Sequence, residues 1–453
     1  MQPLPKEFEE QMKRLLGEAG FFAYLDALNQ PYTRALRVNL LLRPDGTPSC
    51  PIEGLGAPVP WAKGAYFVEG DARPGLSPLH EGGLFYMQEP SALTAVTALD
   101  PQPGERVLDL CAAPGGKSTQ IAALMAGRGL LCCNEPIPSR AQILSRNIER
   151  MGVRNAVVLS AMPDALAPRF PAFFDRILVD APCSGEGMFR RQPEARDEWD
   201  ADAPRRCADR QMEILAQAAK MLRPGGMMVY STCTFNDTEN EGVLKRFLAL
   251  HPEFSLVPFA LPGLPEAKDG YLHLYPHEMR GEGHFVSRLK KADGADEADA
   301  PVQAAPQRKA PARAAAKGKA PAPIALPDVF SDAFAPERLY TAGDALWMLP
   351  EGISIERLSG LRVLRTGLLL AHAEGKRSEP DHALAMALRP EEAARTASLT
   401  QTQALAYQAG ETLSLGDLPG GYTLLCCEGV SLGWGKQAGG LMKNHYPKGL
   451  RRR

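Results

Sequence analysis

Apolar and polar positions along this chain follow two rhythms. Short apolar runs at 106–110, 130–134, 156–159, 174–179 and 226–231 read as buried strands. Between and after them, 118–126, 138–151, 205–221 and 237–250 carry apolar residues at helical spacing. Such alternation predicts an α/β fold with a mainly parallel sheet covered on both faces. Two later runs, Phe254 to Phe259 and His284 to Leu289, are expected as strands at the sheet edge. Upstream, Phe8, Met12, Leu15 and Leu16 predict an amphipathic opening helix. The stretch Tyr32 to Asn39 with the Leu40-Leu41-Leu42 run predicts a strand, and residues 45–80, rich in Pro and Gly, predict loops with short strands. A helix through Leu99 is expected to start at Pro90-Ser91.

Composition adds the domain plan. At 453 residues the chain is too long for one core. Residues 291–326 turn abruptly to Ala, Pro, Lys, Arg and Asp, a flexible linker whose Arg308, Lys309, Arg313, Lys317 and Lys319 add at most weak attraction to phosphate. From 327 onward short apolar runs such as Leu361 to Leu370 and Tyr422 to Cys427 predict a small β-rich domain. The expected division is therefore 1–92, 93–290, 291–326 and 327–453. No signal peptide opens the chain, since Lys6, Glu7, Glu9 and Glu10 come too early, and no apolar run nears about 18 residues, so a cytoplasmic protein without membrane attachment is expected. Nine Cys without C-x-x-C pairs argue against a disulfide frame and a zinc site, and no metal is expected. With a net charge of −2, any nucleic-acid binding must come from local patches. Arg34, Arg37 and Asn39 could reach phosphates. Gly433-Trp-Gly-Lys436 and Lys443 to Arg453 interleave rings with basic residues, as RNA contact favours.

The chemistry centres on Arg106-Val-Leu-Asp-Leu-Cys-Ala-Ala-Pro-Gly-Gly-Lys-Ser-Thr119, a strand, glycine loop and helix. Gly115 and Gly116 permit close approach of a ligand to backbone, and the helix offers unpaired N–H groups at its positive end. Gly116-Lys117-Ser118 also ends like a P-loop, with Ile177 to Asp180 as a magnesium strand, but Cys111 stands where the first P-loop glycine belongs. A Rossmann-like site for an adenosyl cofactor fits better, with Glu135 at the end of the second strand for a ribose diol.

Asp180-Ala-Pro-Cys-Ser-Gly-Glu-Gly-Met188 and Tyr230-Ser-Thr-Cys-Thr-Phe235 each place a Cys just past a strand end. One such Cys is ordinary filler; two beside a cofactor loop suit methyl transfer to C5 of a pyrimidine. C5 becomes nucleophilic only after a thiolate adds to C6, and that thiolate needs a cation or helix N-terminus nearby. Lys117 and the helix from 237 could serve. Asp180 could pair with the N4 and N3 edge of cytosine or with the cofactor amine. Cys132, Cys133, Cys426 and Cys427 are expected to pack.

Together these motifs resemble the Sun-type RNA cytosine-C5 methyltransferases. Cys111-Ala-Ala-Pro-Gly-Gly-Lys117, Asp180-Ala-Pro-Cys-Ser-Gly-Glu-Gly187 and Ser231-Thr-Cys-Thr234 stand as that family has them. Arg34 to Asn39, Gln88-Glu-Pro-Ser-Ala92, the linker and Lys443 to Leu450 look like its bacterial F-type branch, acting on 16S ribosomal RNA. The resemblance implies a class I methyltransferase core, S-adenosylmethionine as cofactor, an N-terminal RNA-binding domain and a C-terminal PUA-like RNA-binding domain. It implies that Cys233 bonds to C6 and Cys183 assists release, although the Pro-Cys thiol of DNA cytosine methyltransferases would have favoured Cys183. Cofactor contacts carry over to Cys111, Ala112, Ala113, Pro114, Gly115, Gly116, Lys117, Glu135 and Asp180. The family's adenine-reading Asp or Asn does not carry over, because Met162 holds its place; Asp164 or a backbone carbonyl would substitute. Rival readings are a non-catalytic ribosome-assembly binding protein, a transfer-RNA methyltransferase and a P-loop NTPase.

Overall fold

The computed structural model describes residues 4–294, 324–374 and 377–452. Most of the expected linker, 295–323 with its basic residues, lies outside them. Helix Lys6–Leu28 opens the chain, broken at Gly17 (φ +69°), and buries Phe8, Met12, Phe21, Tyr24 and Leu28 while leaving Leu15 exposed. A four-stranded antiparallel sheet follows, made of β1 (Arg34–Val38), β2 (Leu55–Pro58), β3 (Ala65–Val68) and β4 (Phe85–Gln88) in the order β2-β3-β1-β4.

The central sheet holds β5 (Arg106–Asp109), β6 (Leu130–Asn134), β7 (Ala156–Leu159), β8 (Phe174–Asp180) and β9 (Leu222–Thr232), all parallel. Apolar runs with β-branched residues, bounded by Gly and Pro, place these strands inside, where both faces must be covered. One face packs Val107, Leu131 and Val229 with Leu99, Ile121 and Leu144; the other packs Leu108, Ile177 and Tyr230 with Leu215 and Phe247. Beyond β9 the edge is antiparallel: β10 (Phe254–Leu256) and β12 (His284–Lys291) extend the sheet, and β11 (Tyr271–Leu274), absent from the sequence reading, pairs with β12. Helices Gly116–Leu124, Pro138–Arg150, Ala203–Met221 and Glu241–Leu250 supply the cover.

After the linker come β13 (Leu339–Ala342), β14 (Ala345–Met348), β15 (Val363–Thr366), β16 (Leu368–Glu374), β17 (Arg377–Pro380), β18 (Thr396–Ser398), β19 (Gly421–Cys427), β20 (Val430–Ala438) and β21 (Leu441–Asn444). The apolar run at 361–370 thus splits between two strands with different destinations. β16 joins β13-β14-β16-β17, whereas β15 crosses to the central sheet and pairs antiparallel with β7, Val363 opposite Leu159 and Thr366 opposite Val157. Buried Arg365 on β15 also pairs with Glu149 of helix Pro138–Arg150.

The C-terminal region shares a core with the N-terminal sheet: Leu36, Val38, Leu84 and Phe85 pack with Tyr407, Leu425, Leu432 and Tyr446. Contact is so close at Gly82 that a Cβ there would stand 2.9 Å from both Val430 and Leu432 side chains. No helix of the described residues is long and apolar enough to cross a membrane.

Several expectations are corrected. Leu40 to Leu42 form a turn, because the Asn39 side chain accepts from Leu41 N (3.1 Å) and donates to the carbonyls of Gly83 and Met151 (both 3.0 Å). Neither Asn39 nor Arg37 reaches phosphate; each is 1% exposed. The tail is not a stacking platform. Trp434 and Tyr446 are buried, the indole donating to Asp381 O (2.8 Å), and Arg452 donates to Ser77 O (2.9 Å). Helix Glu241–Leu250 starts four residues later than expected, and its N-cap Asn240 accepts from Thr232 Oγ1 (2.7 Å) and donates to Thr234 O (3.1 Å), on either side of Cys233.

Candidate active site

The order of strands in the central sheet reverses between β5 and β8, which is where ligands settle in such sheets. The loops beyond the carboxyl ends of β5 to β9 surround a crevice of about 1080 Å³. Cys111, Ala113, Glu135, Asp164, Asp180, Cys183 and Cys233 line it. Ala112, Pro114, Gly115, Gly116 and Lys117 are not part of its wall; they build and brace the loop. Gly115 takes φ +113° at the cap of helix Gly116–Leu124, and a Cβ there would meet Leu144 at 3.2 Å and Asn147 at 3.3 Å. Asn147 and Arg140 donate to the carbonyls of Pro114 (2.9 Å) and Ala113 (3.1 Å), fixing the loop from the neighbouring helix.

Asp180 is the charged hub. Lys117 Nζ lies 2.7 Å from its Oδ2, Ser231 Oγ donates to Oδ1 at 2.8 Å, and buried His284 Nε2 stands 3.4 Å from Oδ1. Burial opposes the charge on Asp180, but Lys117 and then His284 outweigh it and hold the carboxyl well below the usual range. Lys117 is kept protonated in turn: burial disfavours its charge, and Asp180, with a smaller part from Cys233, more than restores it. Asp109, fully buried at the end of β5, is pushed up to about 7 by burial, eased by the hydrogen bond from Ser118 (2.6 Å).

The two motif cysteines meet. Cys183 Sγ and Cys233 Sγ are 3.3 Å apart. The hydrogen bond to Cys233, followed by burial, pushes the Cys183 thiol well up, so Cys183 stays protonated at neutral pH.

Beneath the thiols lies a buried network that the sequence did not reveal. Glu239 accepts from Ser184 N (3.0 Å), Asn236 Nδ2 (2.8 Å) and Gln211 Nε2 (2.8 Å). Glu186 accepts from the backbone N–H groups of Phe235 (2.8 Å) and Asn236 (3.1 Å) and from Gln11 of the opening helix (3.0 Å). The two carboxylates tie the Cys183 loop to the Cys233 loop from below, which sets the spacing of the sulfurs. Phe8, Tyr24, Phe189, Trp199 and Phe235 form an apolar cluster that braces the same loops against the opening helix. Glu239 fell in the stretch 237–250 expected as helix; the Asn236-x-x-Glu239 spacing, with Glu239 N donating to Asn236 Oδ1 (2.8 Å), is the signal that could have found it.

At the other end of the crevice Ile137 and Met162, 49% and 61% exposed, lie among the lining residues. The carbonyls of Ala161 and Met162 already accept hydrogen bonds within the chain. Asp164 is the carboxylate left on that loop. A flat heterocycle between apolar side chains, a diol at Glu135 and a cationic sulfur near the acidic hub are what an adenosyl sulfonium requires, so the donor set fits that group. Among the described residues, no cluster of three or more His, Cys, Asp or Glu could hold a metal ion.

Comparison with known proteins places this architecture. Residues 4–90 match the N-terminal domain of 16S rRNA methyltransferase RsmF, and 96–290 match 16S rRNA methyltransferase RsmB/F. Residues 327–388 match the first C-terminal domain and 394–452 the PUA domain of RsmF methyltransferases. Ribosomal RNA small subunit methyltransferase F of Enterobacter sp. (strain 638) is 35% identical, over 98% of this chain and 95% of its own length. The same enzyme of Erwinia tasmaniensis is 34% identical, over 98% and 96%. Among solved structures, a methyltransferase homolog from Pyrococcus horikoshii superposes with a TM-score of 0.54 at 30% identity, over 63% of this chain and 95% of that one. NSun6 from Pyrococcus horikoshii with SFG gives 0.55 at 23% identity, over 64% and 99%, a likeness of fold. A Rossmann-like core between family-specific N-terminal and PUA segments, matched over nearly its whole length, makes this chain a member of the RsmF family of small-subunit ribosomal RNA methyltransferases.

Proposed function

We propose that this enzyme methylates C5 of a cytosine in small-subunit ribosomal RNA, in the cytoplasm, with S-adenosylmethionine as donor and a covalent bond between Cys233 and C6. The observation that carries the proposal is the pair of thiols 3.3 Å apart on adjacent strand ends beside an ionised Asp180. A protein that only held RNA would have no use for that pair in its crevice.

Cys111, Ala113, Glu135 and Asp164 would hold the cofactor, Glu135 at the ribose hydroxyls and Asp164 at the adenine amino group, with Ile137 and Met162 against the ring. The cofactor supplies an electrophilic methyl on a sulfonium. Asp180, ionised, accepts from the exocyclic N4 amine of the flipped cytosine, and Lys117 keeps that carboxylate charged. Cys233 then adds as thiolate to C6, and the electron pair shifted to C5 makes that carbon the nucleophile. Once C5 carries the methyl, a base takes its proton, the electrons of the C5–H bond re-form the ring double bond, and the C6–S bond breaks to release Cys233 as thiolate. Cys183 assists this last stage, in contact with the sulfur that must leave.

The test is methyl transfer from radiolabelled donor to deproteinised small-subunit rRNA, with 5-methylcytosine identified by mass spectrometry. Cys233→Ser should abolish turnover, and Cys183→Ala should leave protein bound to RNA in a denaturing gel. The reverse pattern would show the thiol roles exchanged. Methyl transfer by Cys233→Ser at the wild-type rate would end the covalent mechanism.

A further inference from the structure

A cavity next to the crevice is left unused by this chemistry. Beside the crevice lies a second depression of about 330 Å³, whose wall includes Tyr32, Arg34, Arg73, Leu76, Met87 and Arg191. A single turn, Met188 to Gln192, separates the two spaces. Met188 and Gln192 line the crevice while Arg191 lines the depression. Arg191 N and Gln192 N both donate to Met188 O, at 3.0 Å and 2.7 Å, so the partition is a closed turn.

Its electrostatics are one-sided. Arg34 donates to the carbonyls of Ala72 (2.7 Å) and Gly70, which fixes its guanidinium without neutralising it. Among the described residues, the side chains of Arg73 and Arg191 form no ion pair or hydrogen bond, and both are exposed. The one carboxylate lining the depression, Glu89, is already occupied: Ser91 N (3.0 Å), Ala92 N (2.8 Å) and Glu282 N (2.8 Å) all donate to it. Beside the three guanidiniums stand two exposed apolar surfaces, Tyr32 at 46% and Leu76 at 65%. Unpaired arginines with an exposed ring are a site for a single nucleic-acid strand, because guanidiniums grip phosphates and rings stack on bases.

We propose that this depression holds the RNA strand immediately flanking the target base, with Arg73 and Arg191 on its phosphates and Tyr32 under the neighbouring base. The inference rests on the reading of the crevice as a cytosine site, since a base swung into the crevice must leave its backbone just outside the partition. It explains why Arg191 is held by the same turn that walls the reacting base.

The test uses the full chain and two probes. A fluorescent single-stranded RNA dodecamer is titrated by anisotropy across a series of KCl concentrations, and deproteinised small-subunit rRNA is methylated at varied concentration. With Arg73→Gln/Arg191→Gln, the slope of log affinity against log salt should flatten by about 1.4, roughly 0.7 per lost phosphate contact on a single strand. The KM for rRNA should rise at least about tenfold while kcat stays within about twofold, each guanidinium adding bound-state attraction that leaves the chemistry untouched. Tyr32→Ala should weaken binding at every salt concentration with the slope unchanged. Wild-type slope and KM in the double variant would overturn the proposal, and so would an equal loss of donor affinity. If the wild-type enzyme transfers no methyl to the rRNA, the proposed function fails, while the dodecamer titration still decides the groove.

Discussion

Arg37 offers a sharp test of the fold around the glycine loop, because the sequence placed it on RNA and the structure buries it. Its guanidinium donates to Thr119 Oγ1 (2.9 Å), Gln88 Oε1 (3.3 Å) and Gly116 O (3.3 Å), tying β1 to the loop and to the helix that follows. No carboxylate answers the charge, and burial pushes the guanidinium down to about 10 from an ordinary 12.5. The sign follows directly: the fold disfavours the charged form, so throughout the neutral range this arginine carries a cost of about 3 kcal/mol. Against that stand three hydrogen bonds from a charged donor, at roughly 1.5–3 kcal/mol each and the two long ones at the weak end. The balance is a net stabilisation of about 2–3 kcal/mol. With an unfolding entropy of roughly 1 kcal/mol/K for 453 residues, Arg37→Ala should therefore lower the melting midpoint by about 2–3 °C. Arg37→Met, which keeps the volume and removes the buried charge, should lower it by less. Neither variant should change the salt slope for the RNA dodecamer. An Arg37→Ala protein that melts like the wild type yet loses slope as the Arg73 and Arg191 variants do would refute the reasoning.

Two further outcomes follow from the same structure. A fragment of residues 1–326 exposes the β7 edge together with Leu36, Val38, Leu84 and Phe85, so it should aggregate or bind a hydrophobic dye and lose donor and RNA affinity together. A soluble fragment that binds donor normally would contradict the shared core. Lys117→Met should move the acid limb of the kcat/KM profile upward, since burial of Asp180 is then opposed by His284 without Lys117 and its pKa rises. Asp180 in the wild type is a depressed carboxyl, so the stability it contributes is present above the ordinary carboxylate pKa and lost as pH falls through its lowered value. In Lys117→Met the loss should start at higher pH, in urea midpoints as in activity, and an unmoved acid limb would show that Lys117 does not set the charge of Asp180.

The parallel strands and the meeting of Cys183 with Cys233 were legible because each depends on local signals: apolar runs bounded by Gly or Pro, and loop motifs just past strand ends. What escaped depends on partners far away in sequence. Arg37 and Arg73 are the same residue type, and the packing of β1 against the glycine loop buries the first while the second stays exposed. Trp434 and Tyr446 looked like stacking rings because basic residues flank them, but Trp434 fills the core between the first C-terminal and PUA segments and Tyr446 the core between the N-terminal and PUA segments. The late start of helix Glu241–Leu250 has a similar origin, since Asn236, Glu239 and Asn240 are spent on the thiol loops.

The antiparallel partner of β7 arrives late in the life of the polypeptide. Roughly 200 residues separate Val157 from Thr366, so this contact has a large loop-closure entropy and forms among the last. During synthesis the catalytic core emerges with one raw strand border, and the ribosome must deliver the C-terminal third before that border is sealed. Nascent chains halted in between would carry a sticky, unfinished enzyme, and the maturation of this methyltransferase is in that sense completed from its tail.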